Sequence, residues 1–572
     1  MTKKILIIAS EFPPRAGGNM LRTVKLVKHL PSFGWKSYVL TVSLNSIPKF
    51  DYSLMAEIPK EAQIIRAFYP NIFKPLDKRW HQKQGLRRHS VTGSLGQSNP
   101  SACRLSSVGC GLTTSQPVNE PDQAHNSINP INLVNQGTGN LANKPNYPIT
   151  QLPNYLKTAV LWLIWFIRRQ LLIPSELVLW LPFAVFKGVW ICRKEKIDLI
   201  YSTAPSYINH LVGLLIKLLT KKGWMADYRD LWTDYPTRKM SSKFHKKLEE
   251  RLETSVLKNA DAVNIVSPLW RESLLKNFPF LSSDKVTCYT NGYDPEDFNQ
   301  LNRPNELNKP KALDQTSRTS AAIEQIQHND AITQLPNDAN PVSCELSAMR
   351  FNISYVGTIL NHYPTPLFLR AFGELCQEIP EIREKARVNF YGDIRDGQRL
   401  EINRMVEKFS LQRNVALNGT VPRQKALKIM ENSDLLLLMY IHEGANVDGC
   451  IPGKIFEYIG AQKPIFAMVP KNGSAAEIIK KGNLGLIASP NSYEEIKDVL
   501  NHLYLSWESP KFSNDVITRS PNDPSFASCQ LSPMSHELSA TSYNPNWNYL
   551  RQFDRKYIVG KLVEIFDKIC ER

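Results

Sequence analysis

DGCIPGKIFEYIGAQKPIFAMVP, residues 448–470, reads as a loop, a short helix and a buried strand in immediate succession. Gly449, Pro452 and Gly453 punctuate the loop, and Ile455, Phe456, Tyr458 and Ile459 form an apolar helical face. Lys463-Pro464 stops the helix before the apolar run Ile465–Val469. Lys454 and Glu457 stand three residues apart, so on a helix they project from the same side. They lie in the first turns after a glycine loop, where free backbone N–H groups favour a bound phosphate. Lys454 is then placed for a diphosphate and Glu457 for the hydroxyl pair of a ribose. The same two residues could equally form an ordinary surface ion pair, which contributes little.

Outward from this stretch, the second half of the chain alternates strand and helix. Apolar runs at Phe351–Val356, Arg387–Tyr391, Val415–Asn418, Asp434–Met439 and Gly485–Ala488 read as strands. Helical patterns at 366–377, 396–409, Arg423–Asn432, Ser474–Lys480 and Tyr493–Tyr504 separate them, and Tyr549–Ile569 closes the chain as an amphipathic helix. The first half repeats the pattern. Lys3–Ser10 suits a parallel strand buried on both faces, and a loop carrying Gly17-Gly18 follows, with Asn19 as helix N-cap before Leu21, Val24, Val27 and Leu30. That loop is either an anion-binding corner or a plain tight turn; it lacks the GxGxxG dinucleotide fingerprint. Further strands are read at Ser37–Ser43, Ile197–Ser202, Ala262–Ser267 and Val286–Tyr289. His210 falls in the first turn of helix Asn209–Leu219, at the strand-end edge where α/β proteins bind ligands. Asp227, Arg229 and Asp230 follow at another strand end, where burial requires pairing; they read as a polar corner with an internal Arg–Asp clamp. Two strand-helix halves imply an α/β protein of two doubly wound domains facing a cleft.

The chain of 572 residues has a net charge of +17, which fits an anionic partner. Its basic residues are scattered and no DNA- or RNA-binding motif is present, which argues against nucleic acid. The nine cysteines form no CxxC or Cys/His cluster, so neither a disulfide framework nor a metal site is expected. The apolar run after Lys3-Lys4 is too short for a signal-peptide core, which together with the cysteines suggests a reducing cytoplasm. Residues 83–156, 303–349 and 510–546 are rich in polar residues, glycine and proline, and read as disordered inserts. Ile332–Met349 aligns without gaps on Ile517–Met534 with ten identities, so one mobile sequence inserted at several surface loops accounts for them. Residues 157–196 carry tryptophans beside arginines and lysines, in apolar stretches too short to span a bilayer. They read either as a membrane-interface segment or as core helices under the first domain.

The strings FPPRAGG with LVKHLPSFGWKSYVLT, IDLIYSTAPSYINHLVGLLIK and DYRDLWTDYP resemble bacterial family 4 glycosyltransferases. KNADAVNIVSPLW, VTCYTNGYD, NISYVGTI, NGTVPRQKALKIMENSDLLLLM and PGKIFEYIGAQKPI continue the match in order. The resemblance covers about 1–80, 157–300, 350–508 and the terminal helix. It implies a GT-B fold: an acceptor-side domain over 1–300, a nucleotide-sugar domain over 350–508, and a helix over 547–572 crossing back toward the first domain. It implies sugar transfer with retention of anomeric configuration, without metal or cofactor. By the same resemblance Gly17 and Gly18 lie against the donor phosphates, His210 faces the donor sugar, Lys454 and the turn Gly357-Thr358 serve the diphosphate, and Glu457 binds the ribose.

The sequence departs from the family pattern in two places. Many members carry a second glutamate eight positions before the ribose-binding one; here that position is Gly449, and Glu443 stands farther upstream in the loop Ile441–Cys450. The family's basic residue after its GT-like turn is replaced by Ile359-Leu360-Asn361-His362, which leaves Lys454 to carry more of the leaving-group charge. The expected activity is transfer from a nucleotide-sugar donor to a cell-envelope or exopolysaccharide precursor, glycan or lipid-linked, at the cytoplasmic face of the inner membrane. A sugar-nucleotide epimerase on the same fold and a degenerate, non-catalytic binding protein are the alternatives.

Overall fold

The computed structural model describes residues 2–15, 20–46, 50–70, 162, 172–236, 238, 240, 242–299, 350–440, 444–508 and 543–572. Residues 1–70 and 169–572 form one compact unit, and everything below concerns it; of the other unit, 71–168, only Trp162 is described. The glycine loop with Gly17 and Gly18, the cap residue Asn19, Glu443, and the three inserts (except 543–546) lie outside the described residues.

Two parallel sheets organise the unit. The first contains β1 (Lys3–Ile8), β2 (Trp35–Val42), β3 (Gln63–Ala67), β4 (Leu199–Thr203), β5 (Gly223–Tyr228), β6 (Ala262–Ile265) and β7 (Val286–Cys288), in the order β3-β2-β1-β4-β5-β6-β7. The second contains β8 (Phe351–Val356), β9 (Ala386–Tyr391), β10 (Val415–Gly419), β11 (Leu435–Met439), β12 (Ile465–Met468) and β13 (Gly485–Ala488), in the order β10-β9-β8-β11-β12-β13. Helices cover both faces, so central strands such as Ile5–Ile8 and Leu435–Met439 are buried throughout and read as unbroken apolar runs. Strand order reverses between β1 and β4 and between β8 and β11, and the crevices at those points are where doubly wound sheets bind ligands. The expected pair of doubly wound domains is therefore present. The edge strand β3 escapes sequence detection because QIIRA is mostly half-exposed and has no clean apolar run.

A buried ion pair fixes the first sheet's ligand-facing edge. The Arg22 Nε and Nη2 atoms of helix Leu21–His29 each donate to the Asp227 carboxylate at 2.9 Å. Thr203 Oγ1 and Asn264 Nδ2 donate to the same group, both at 2.8 Å, and Arg22 Nη1 reaches the Thr290 carbonyl at 2.6 Å. One guanidinium thus gathers the ends of β4, β5, β6 and β7. Burial alone would push the Asp227 carboxyl upward, but the charge and hydrogen bonds of Arg22 outweigh it and hold it below the usual value. The arginine paired with Asp227 is Arg22, from the first helix, a residue that the sequence reading of this corner did not include.

The C-terminal segment is two helices rather than one. Trp547–Leu550 is followed by a 3₁₀ turn, and Asp554 then caps helix Arg555–Cys570, accepting from the Lys556 and Tyr557 N–H groups at 2.7 and 3.2 Å. Leu550 and Phe553 are buried with the second domain's core, whereas Phe566 packs edge-on against Trp35 and Tyr201 of the first. Backbone bonds from Tyr293 N to Phe553 O and from Arg555 N to Tyr293 O fasten the tail to the segment joining the domains.

Arg22→Leu should lower unfolding free energy by about 3–5 kcal/mol in urea titration, because it strands a buried carboxylate. Adding Asp227→Leu should recover most of that loss; equal stability of wild type and the single variant would show that the pair does not hold the edge.

Candidate functional site

The helix expected from the opening stretch is Lys454–Ala461, with Gly453 as its N-cap. Ile455, Phe456, Tyr458 and Ile459 are buried against the second sheet, which turns Lys454 and Glu457 away from the core. The N–H groups of Gly453 and Lys454 carry no hydrogen bond among the described residues, as expected of a helix start open to an anion.

Lys454 and Glu457 do not pair. The Lys454 ammonium lies 5.1 Å from the centroid of the Tyr355 ring and has no ion-pair partner among the described residues. Its stem passes the turn after β8, where Gly357 sits at φ +142°; a Cβ there would collide with Lys454 Cε and lie 2.7 Å from Nζ. Gly357 is therefore required both for its backbone and for the lysine's path. Gly392, at φ +130° in the turn after β9, backs directly onto Gly357, so a side chain there would strike the Gly357 carbonyl. Thr358 is exposed beside this turn and its carbonyl accepts from Tyr355 Oη at 2.8 Å.

Glu457 is held by a residue that sequence reading missed. Arg423, at the start of helix Arg423–Glu431, donates through Nη1 to Glu457 Oε1 and through Nη2 to Asp297 Oδ2, both at 2.7 Å. Glu457 Oε2 has no partner among the described residues. The other Asp297 oxygen meets the ammonium of Lys25, a fully buried lysine that also contacts Glu57 and Asp294. Those three carboxylates are close enough together to hold a metal ion, but the Lys25 ammonium stands among them. A chain of charge therefore runs from the first domain's first helix to Glu457. Nearby, Arg555 is buried and its guanidinium has no hydrogen-bond partner among the described residues; burial and the like charges of Arg22, Arg229 and Arg423 hold it down to about 9. A signal was legible for Lys25, which shares a helical stripe with Leu21; nothing local marked Arg423 or Arg555.

His210 is placed differently from expectation. It is fully enclosed: Nδ1 lies 2.8 Å from Ser202 Oγ, and the ring stacks on Tyr228 with centroids 4.7 Å apart. Burial holds its pKa down to about 4. The position after β4 was read correctly, but the side chain points into the core, which corrects the catalytic role expected for it. Asp230, unlike Asp227, is partly open and lines a cavity in the first domain. Arg229 is likewise half-buried, and its charge acts on Asp230.

Gly449 has a physical explanation. A Cβ at this buried position would overlap the indole of Trp270, from helix Pro268–Asn277 in the first domain. Trp270 Nε1 donates to the Asn446 carbonyl at 2.9 Å, and the Ser267 and Ser474 hydroxyls meet at 3.0 Å. The place that many family members give to a carboxylate is here an interdomain contact.

Residues 350–506 match the family model for Glycosyl transferases group 1. No curated protein matches the chain's sequence. Among solved structures it is similar to a glycosyltransferase from Rickettsia africae (12% identity, TM-score 0.50, 99% of this chain and 98% of that one). HepE of Anabaena in complex with UDP (11%, 0.50, 99% and 100%) and the sucrose-phosphate synthase of Thermosynechococcus elongatus (13%, 0.50, 99% and 99%) are also similar. At these identities the likeness shows the fold, which is GT-B. With the group 1 domain, it makes the chain a glycosyltransferase.

His210→Phe keeps the stack on Tyr228 but cannot be protonated. Because the folded-state pKa lies below the ordinary 6.5, wild type should lose stability relative to this variant as pH falls from 6.5 toward 4, by up to ~3 kcal/mol. Parallel stability-versus-pH curves would contradict the buried, neutral imidazole. Gly449→Ala should weaken the Trp270 contact and lower the melting temperature, and adding Trp270→Ala should relieve the clash; a neutral single variant would contradict this packing.

Proposed function

We propose that this glycosyltransferase moves a sugar from a nucleotide-sugar donor to a cell-envelope or exopolysaccharide precursor, with retention of anomeric configuration and without a metal ion. The observation that carries this reading is the uncommitted Lys454 ammonium beside Gly357 at the second sheet's switch point, on the same helix as Glu457. Breaking the anomeric C–O bond leaves a nucleoside diphosphate, whose growing charge must be met by donors already in place. Lys454 and the first-turn N–H groups supply such donors without a metal. Glu457, fixed on one oxygen by Arg423, offers the other to the two ribose hydroxyls. The loop with Gly17 and Gly18, following β1, is the element we expect to meet the donor phosphates when the domains close and exclude water. The UDP of the HepE structure makes a uridine nucleotide the first donor to try.

A membrane-side acceptor is supported by helix Leu181–Lys194. It buries Ala184, Ile191 and Cys192 and exposes Phe183, Phe186 and Trp190, with Phe186 77% exposed. The ammonium groups of Lys187 and Lys194 lie 5.0 and 4.7 Å from the Trp190 ring. Exposed aromatics flanked by cations suit an anionic headgroup layer. The helix thus has core contacts on one face and exposed aromatics on the other; residues 157–161 and 163–171 of the segment lie outside the described residues. No helix among the described residues is long and apolar enough to cross a membrane.

Mixed with sugar nucleotides and membrane extract, the wild-type protein should release nucleotide in the presence of EDTA, with the product's anomeric configuration unchanged by NMR. Lys454→Ala should lower kcat about 10²–10³-fold, and Glu457→Ala should chiefly raise the donor KM; unimpaired turnover in both would remove the site assignment. In flotation with vesicles containing phosphatidylglycerol, Phe186→Ser with Trp190→Ser should reduce the bound fraction several-fold. Unchanged flotation would contradict the membrane face.

A further inference from the structure

A cavity of about 610 Å³ opens at the C-terminal ends of β4 and β5, beneath the turn that leads into helix Leu181–Lys194. Its lining includes Ser175, Ser206, Tyr207, Asp230, Tyr235 and Arg238, and its size falls within the range of small-molecule sites. The charges around it are unevenly satisfied. Arg238 is committed to Glu249, donating to its two oxygens at 2.8 and 2.6 Å, and its guanidinium covers the Tyr207 ring at 4.8 Å. Trp232 stacks on Tyr207 with centroids 4.9 Å apart, so that tyrosine is already engaged. Asp230 has neither hydrogen bond nor ion pair among the described residues. Burial pushes its carboxyl above the usual value and the charge of Asp227 adds to the effect, more than Arg229 and Arg22 offset.

A carboxylate sheltered this far without a partner is costly unless something from outside supplies donors. The hydroxyls of Ser175 and Ser206 are also buried without partners among the described residues, and Ser206 is held at φ +87°, a backbone region that serine rarely adopts. With the arginine neutralised, the group left facing the cavity is an acceptor that repels phosphate and welcomes hydroxyl donors. The cavity also leads toward the donor side: Tyr235 Oη lies 3.5 Å from Tyr440 Oη, Tyr440 packs 6.1 Å from Tyr363, and Tyr363 neighbours Tyr355 beneath Lys454.

We infer that this cavity holds the acceptor, and that the acceptor enters it as an uncharged sugar ring whose neighbouring hydroxyls are bound by Asp230. The inference rests on the glycosyltransferase reading and names the substrate class for it. Asp230 touches the substrate in this account, Tyr235 forms the wall on the donor side, and the phosphate or lipid of a larger acceptor stays outside, toward the exposed face of helix Leu181–Lys194.

The test is saturation-transfer NMR with octyl glycosides of glucose, mannose, galactose and N-acetylglucosamine, alongside thermal-shift titrations with UDP, GDP, ADP and TDP. At least one glycoside should show saturation transfer that survives added nucleotide and inorganic phosphate. Its affinity should fall at least tenfold in Asp230→Asn and in Leu177→Trp, which fills the cavity, while stabilisation by nucleotide stays at the wild-type level. Either variant alone decides the matter if the other does not fold. The inference is overturned if no glycoside binds, if a folded variant binds as wild type does, or if phosphate displaces the glycoside. Nucleotide binding without glycoside binding would remove the cavity assignment alone; the absence of both would remove the glycosyltransferase reading as well.

Discussion

A charge taken out of water must find its opposite, and the carboxylate of Asp297 does this for two cations at once. Lys25, fully buried on the first domain's first helix, takes one oxygen; Arg423, from the second domain, takes the other. Each of these partners is itself shared, Lys25 with Glu57 and Asp294, and Arg423 with Glu457. No member of the chain can leave without stranding another in a poorly solvated place, at a cost of several kcal/mol. The arrangement therefore couples the register of the two domains to the orientation of Glu457. By holding one oxygen of Glu457, Arg423 fixes the direction in which the carboxylate points.

Space is the second constraint, and glycine marks where it is spent. Gly357 is open so that the Lys454 stem can pass, Gly392 so that its turn can lie against Gly357, and Gly449 so that Trp270 can close the domain interface. In each case the missing side chain makes room for another residue rather than for flexibility. A glutamate at position 449 could not coexist with Trp270 in this packing, which gives a physical reason for the glycine there.

Most of the architecture was legible in the sequence because parallel strands buried on both faces leave continuous apolar runs; Phe351–Val356 and Gly485–Ala488 were read to the residue. β3 was not, since an edge strand keeps half its surface in water. The pairing of Lys454 with Glu457 on one helix face was legible from spacing, and their separate engagements were not. Arg423 is 34 residues from Glu457 and 126 from Asp297, and nothing local encodes such contacts. His210 shows the same limit in reverse: its place after β4 was correct, yet Ser202 and Tyr228 turn the ring into the core. Position along the chain is set by periodicity, but side-chain direction is set by partners that only the fold brings near.

The central claim is that a nucleoside diphosphate sits between Lys454 and Glu457. It is tested most directly by a crystal structure with whichever nucleoside diphosphate stabilises the protein most. The account predicts the diphosphate within hydrogen-bonding distance of Lys454 Nζ and the first-turn N–H groups, the ribose hydroxyls on Glu457 Oε2, and Arg423 still on Oε1. A nucleotide bound elsewhere, with Lys454 and Glu457 untouched, would contradict it.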